Sequence, residues 1–220
     1  MTTADLISLL QGAMVTIALS VTAILFGVVL GLGLALFRWA RAPAVSQLVA
    51  VYVSVVRATP LVTLSLLIFF AIPSFGIEID AIPAAILALT LNTAAFNCEI
   101  WRAGLIDFPG AQLEATRAFG MSPFLAFRRI IFPQVWKTCL PGLVNEMTLL
   151  IKSSPAVAVV GVVDITRAAA RIGAQTYEPL PPFLLATALY FLVVLAFVRV
   201  QRALEAATSE GPRAARCATS

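Results

Sequence analysis

The stretch FPGAQLEATRAFGMSPFLAFRRIIFP, residues 108–133, decides how the rest of the chain is read. Pro109-Gly110 interrupts the chain after an apolar run. Residues 111–119 are good helix formers, and Gly120 stands where a helix-ending glycine belongs. Ser122-Pro123 opens a second helix, with serine as N-cap and proline in the first turn. On that helix Phe124, Phe127 and Ile131 share a face beside Arg128 and Arg129, and Pro133 is expected to close it. A helix–glycine–helix unit that is both apolar and basic needs a protein partner or a bilayer interface to cover it.

Outward from this segment the chain is apolar on both sides. A spanning helix needs about 20 largely apolar residues. Spans are expected at about 6–37, 44–72, 81–104, 137–163 and 179–200, with a short tail over 203–220. Hydrophobic residues make up 60% of the 220 and charged residues 12%. A soluble domain carries about 45–50% and about 25%, so a soluble globular domain is excluded, as is disorder. The expectation is an all-α, multi-pass membrane protein with one domain over 1–220. The chain has no histidine, which removes histidine catalysis, most zinc sites and haem ligation. No metal site is expected. Cys98, Cys139 and Cys217 lack CxxC spacing and are read as free thiols, buried or cytoplasmic.

Charge sets the expected orientation. The first loop carries Arg38 and Arg41, and the second Glu78 and Asp80 without a base. The third holds five bases including Arg117, Arg128 and Arg129. Arg167 and Arg171 lie in the fourth, and Arg199, Arg202, Arg213 and Arg216 in the tail. With the N-terminus outside, eleven of the fifteen bases fall inside, two fall outside, and Arg57 and Lys152 stay within spans. The positive-inside rule therefore selects N-out, C-in. The net charge of +4 belongs to cytoplasmic loops, and no nucleic-acid partner is expected. No basic n-region precedes the first apolar run, so a cleaved signal peptide is not expected. Gly27 and Gly31 form a GxxxG, with Gly33 nearby, read as ordinary helix packing.

Glu114-Ala115, then Gly120, then Ile130-x-x-Pro133 resembles the EAA motif of ATP-binding-cassette (ABC) importer permeases: E-A-A, three residues, G, nine residues, I-x-L-P. Thr116 replaces the second Ala and Phe132 the Leu. The likeness extends over most of the chain. Residues 91–95 with Glu99-Ile100, Asn145-Glu146, and 57–61 (R-A-T-P-L, against the family's R-G-T-P-L) resemble polar amino-acid permeases. Lys152-Ser-Ser-Pro155 is similar to their K-D-T/S-S without the acidic residue. The resemblance implies the type I importer (MetI-like) fold with cytoplasmic coupling helices over 109–133 that dock in a groove of the ATPase. The residues it puts there are Glu114, Ala115, Gly120, Phe124, Phe127, Arg128 and Pro133. It also implies a second permease subunit, identical or not, and a periplasmic or extracellular solute-binding protein. The setting is the lipid bilayer of a bacterial plasma (inner) membrane, and the cargo a polar amino acid or opine-like compound. The chain has no GxxxxGK[ST] phosphate loop. It is therefore expected to be non-catalytic and to hold no cofactor, with ATP and Mg bound by partner ATPase subunits.

Charged groups within a bilayer cost about 2.5–3.5 kcal/mol each on insertion scales and mark cavities or bundle interiors. Counting along the expected spans at about 1.5 Å per residue, Arg57, Asn92, Asn145 and Glu146 share mid-depth. Arg57 and Glu146 are read in two ways: they complement the carboxylate and ammonium of a zwitterion, or they neutralise each other. Thr59-Pro60 breaks the second span at that level, freeing backbone groups to line a cavity. Glu99 is expected to pair with Arg102 one turn on, and Asn92 and Asn97 to donate hydrogen bonds between helices. Two rival functions are an ATPase-independent secondary transporter or channel subunit and a non-transporting scaffold. The first leaves the amphipathic 109–133 segment unexplained, and the second the mid-depth polar residues.

Overall fold

In the computed structural model, which describes residues 2–40 and 43–209, Thr2 and Asp5 open the first helix by capping each other. The Thr2 amide donates to Asp5 Oδ2 (2.6 Å) and the Asp5 amide to Thr2 Oγ1 (3.4 Å). Helix α1 (Thr3–Trp39) then runs for 37 residues, about 55 Å, longer than the ~30 Å hydrocarbon core. It lies against α4 (Ala81–Ile106). A Cβ built on Gly27 would sit 2.6 Å from Thr93 Cγ2, and one on Gly31 2.7 Å from Asn97 Cβ. The two glycines are the surface on which the helices cross, as expected, whereas Gly33 has nothing within 4 Å.

The expected second span is a bent pair, not one rod. Helix α2 (Pro43–Ala58) and α3 (Leu61–Ser74) meet at 114° across Thr59-Pro60. Pro60 has no N–H to donate, and the Thr59 hydroxyl turns back onto the Val55 carbonyl (2.8 Å). The break was legible; its angle was not. Neither half alone, at 16 and 14 residues, reaches the length a crossing needs. Among the described residues, four other helical segments are long and apolar enough to cross a membrane, and the bent pair makes a fifth if it counts as one.

Helix α5 (Gly110–Ala118) and α6 (Pro123–Ala126) form the expected helix–glycine–helix unit. Pro133 does not close it. Helix α6 passes through a π turn (Phe127–Ile131) directly into α7 (Phe132–Ser153), so the second helix of the unit is continuous with the apolar helix that follows. Proline removes an amide and crowds the carbonyl one turn back. The wider π turn relieves this, the Phe132 amide reaching back five residues to the Phe127 carbonyl. After Ser153 the helix tightens to a 3₁₀ stretch (Ser154–Val160) that ends at Gly161 with φ +105°. The α-helix thus ends within Lys152-Ser-Ser-Pro155.

Helix α8 (Ile165–Thr176), read in the sequence only as a connection, is amphipathic and packs on α1 and α9 (Leu180–Ser209). Asp164 caps it, accepting from the Arg167 amide (2.8 Å) and the Tyr190 hydroxyl (3.0 Å). The main core gathers around α4, where Trp101 is fully buried, stacks on Phe132 and touches Trp136. Cys98 and Cys139 are buried free thiols. Arg41, Arg213, Arg216 and Cys217 lie outside the described residues, as does the expected tail from 210 onward.

Candidate functional site

Two groups of polar residues stand out. The first lies around the α2–α3 bend. Arg57, in the last turn of α2, places its guanidinium over the Phe96 ring of α4 at 5.0 Å, a cation–π contact. One turn before Phe96 on α4, Asn92 is buried, and the Tyr52 hydroxyl of α2 donates to the neighbouring Leu91 carbonyl (2.7 Å). Glu146 on α7 is 6% exposed and lies within the electrostatic reach of Arg57. Among the described residues, the ion pairs within 4 Å all converge on Glu99, and none joins Arg57 to Glu146. Thr59 spends its hydroxyl on its own helix. Asn145 is exposed while Glu146 is buried, because adjacent helical positions do not share a face. Arg57 therefore stands near both Phe96 and Glu146, Asn92 is buried one turn from Phe96 on α4, and Asn145 points elsewhere. Tyr52 and Phe96 were missed in sequence; a tyrosine within an apolar run was the available signal for the first.

Asn97 does not donate between helices. It is fully buried with neither amide atom hydrogen-bonded, and the Ser20, Thr90 and Thr93 side-chain oxygens are likewise unpartnered. Close approach of α1 to α4 at Gly31 seats the Asn97 Cβ, not its amide. Glu99 pairs with Arg102 as expected (2.6 Å), and with Arg38 of α1 as well.

The second group is the helix–glycine–helix unit. Gly120 has φ +68°, and its amide donates to the Arg117 carbonyl (3.0 Å) while the Met121 amide reaches the Thr116 carbonyl (3.0 Å). That pattern closes the end of α5 as a left-handed glycine does. Ser122 caps α6 through the Leu125 amide (3.4 Å). The Gln134 side-chain Nε2 donates to Gln112 Oε1 (2.9 Å), tying the start of α7 to α5. Outward from this frame stand Phe124, 72% exposed, and Phe119, 86% exposed, a residue the sequence reading passed over. Glu114, Ala115, Arg128 and Pro133 are also exposed. Phe127 is not among them: it turns inward, 5.7 Å from Phe132 and 6.4 Å from Trp39. Two large aromatic side chains in water beside arginines form a surface built to be covered.

The chain matches the family model described as "Binding-protein-dependent transport system inner membrane component" over residues 23–210. It is 34% identical to the arginine transport system permease protein ArtQ of Bacillus subtilis over 198 residues, 90% of each chain. It is 36% identical to the nopaline transport system permease protein NocM of Agrobacterium fabrum, over 87% of this chain and 84% of that one. Among solved structures it superimposes on an amino acid ABC transporter crystallised with histidines at a TM-score of 0.82. There the identity is 34%, covering 91% of this chain and 94% of the other.

Proposed function

The chain belongs to the binding-protein-dependent transport system inner membrane components and is a membrane-spanning permease subunit of an ABC amino-acid importer; from that membership we propose how its parts divide the work. Residues 109–133 face the cytoplasm and dock on the ATPase, with Phe119, Phe124 and Arg128 in its groove and Gly120 setting the angle between the two short helices. The chain crosses a bacterial inner membrane five times, N-out and C-in, with the bent α2–α3 pair as its second crossing. Two permease subunits enclose one pathway. A solute-binding protein delivers cargo from outside, and partner ATPases bind ATP and Mg and hydrolyse the nucleotide. ATPase closure draws the coupling helices together and opens the outer side; hydrolysis returns the pathway to the inside.

The cargo is a polar amino acid or opine-like compound. Arginine and nopaline, for which two relatives are named, both carry carboxylate and cationic nitrogen. Arg57 and Glu146 offer one charge to each, with Asn92 as a further polar group of the pathway. In this structure Arg57 rests on Phe96 instead of pairing with Glu146, which leaves both charges available to a zwitterion. The observation that carries the reading is the exposed, rigidly framed helix–glycine–helix unit on a chain without a phosphate loop. Co-purification of the full chain with an ATP-binding subunit, lost on replacing Phe119 and Phe124 by Ser, tests it. A chain that recruits no ATPase yet carries solute down an ion gradient would be a secondary transporter.

A further inference from the structure

We infer that this permease carries a site for one anionic phospholipid headgroup, in the cavity enclosed by the ends of α1 and α4, the first turns of α2, and α5. It rests on the reading that residues 109–133 lie at the membrane–water interface on the cytoplasmic side.

The cavity measures about 480 Å³, far more than a lone phosphate needs. Its polar lining includes Arg38 from the last turn of α1, Arg102 from α4 and Ser46 from α2. Both arginines bind Glu99. Two guanidiniums against one carboxylate leave one net positive charge, and each guanidinium has five donors, more than a shared carboxylate can engage. Their side chains are 19% and 32% exposed. They are therefore held in place by the ion pair yet still open to a second anion.

The rest of the lining is apolar and includes Ile106, Phe108 and the α5 residue Leu113. A free anion has no use for that part; a lipid, with a glycerol and acyl chains below its phosphate, does. Ile106 is 60% exposed at the end of a spanning helix, where chain and headgroup meet. The Trp39 indole lines the same cavity, a residue type enriched at that level of the bilayer. Basic pockets between helices on the cytoplasmic side are the setting in which anionic headgroups bind. Because Leu113 belongs to α5, a bound lipid would brace the coupling segment against the membrane domain.

The test uses the purified full chain in nanodiscs of phosphatidylcholine containing a minor fraction of phosphatidylglycerol, with retained lipid counted by native mass spectrometry. The wild type should retain one phosphatidylglycerol against excess phosphatidylcholine. Ser46→Glu adds a carboxylate to the cavity lining while Arg38, Glu99 and Arg102 all remain, and Arg102→Gln removes one charge. Each should lower phosphatidylglycerol retention roughly fivefold, the effect of one basic charge near a lipid surface, with phosphatidylcholine unchanged. Equal retention in the wild type and Ser46→Glu would overturn the site. So would complete displacement by inorganic phosphate, which would assign the cavity to a free anion. Retention is read without any ATPase, so failure to recruit one would refute the transporter reading and leave the lipid result intact.

Discussion

Gly120 offers the sharpest separation between shape and size. Its φ of +68° lies in the left-handed region, which costs an ordinary L residue about 1–2 kcal/mol and asparagine less. That cost is a factor of about 5–30 in the population of the bent form. A Cβ built there meets nothing within 4 Å, so within this chain no clash adds to it. Conformation alone therefore predicts the order Gly, then Asn, then Ala and Leu together. The assay is ATP-dependent uptake of the labelled amino acid that the binding protein retains, into proteoliposomes holding the permease, an ATPase and that binding protein, with membrane insertion measured in parallel. Gly120→Leu and Gly120→Ala should lose most transport, Gly120→Asn should keep a substantial part, and all three should insert normally. An order set by side-chain size, with Ala above Asn and Leu last, would refute the conformational argument. A Gly120→Leu variant that transports like the wild type would remove the coupling assignment altogether.

Three further outcomes are expected. A cysteine introduced at Ile79 should react with an impermeant thiol reagent added outside, and one at Ala111 should not; the reverse labelling would overturn the N-out orientation. Glu146→Gln should lower transport while the binding protein's own affinity stays unchanged. Full rescue by the Arg57→Gln, Glu146→Gln pair would favour mutual neutralisation over substrate contact. Gly31→Leu should destabilise the purified chain by about 1–3 kcal/mol as an overpacked contact, because a Cβ there already lies 3.0 Å from the Cys98 backbone amide. Gly33→Leu, with open space around it, should leave the melting temperature within a degree or two of the wild type, as surface changes do.

Local chemistry was legible in the sequence wherever one residue determines one turn. Gly120, Ser122-Pro123, Thr59-Pro60 and Lys152-Ser-Ser-Pro155 each mark a break that the structure contains. Pro133 misled because a proline ends a helix only if the carbonyl one turn earlier cannot move aside, and the Phe127–Ile131 π turn moves it. The Glu99–Arg102 pair follows from spacing along one helix, but Arg38 joins it from 61 positions away, a distance that periodicity does not span. Phe127 and Phe124 share a face in projection, yet Trp39 draws only Phe127 inward. Helix α8 has its sequence signal in Asp164 as N-cap and in the helical spacing of Ile165, Ala168, Ala169 and Ile172, which Arg167 and Arg171 mask when the segment is read by charge alone.

The continuity of α6 with α7 has a mechanical consequence. From Pro123 to Ser153 the helical backbone is continuous, with the π turn and the interior Pro141 as its weak points. Beyond that turn α7 contributes 22 residues, about 33 Å at ~1.5 Å each. A tilt of about 10° about the π turn would sweep its far end through roughly 6 Å of arc, on that same length. Glu146 lies about two-thirds of the way along. Carried past Pro141, such a tilt would shift the buried Glu146 carboxylate sideways by a few ångströms without any helix having to melt.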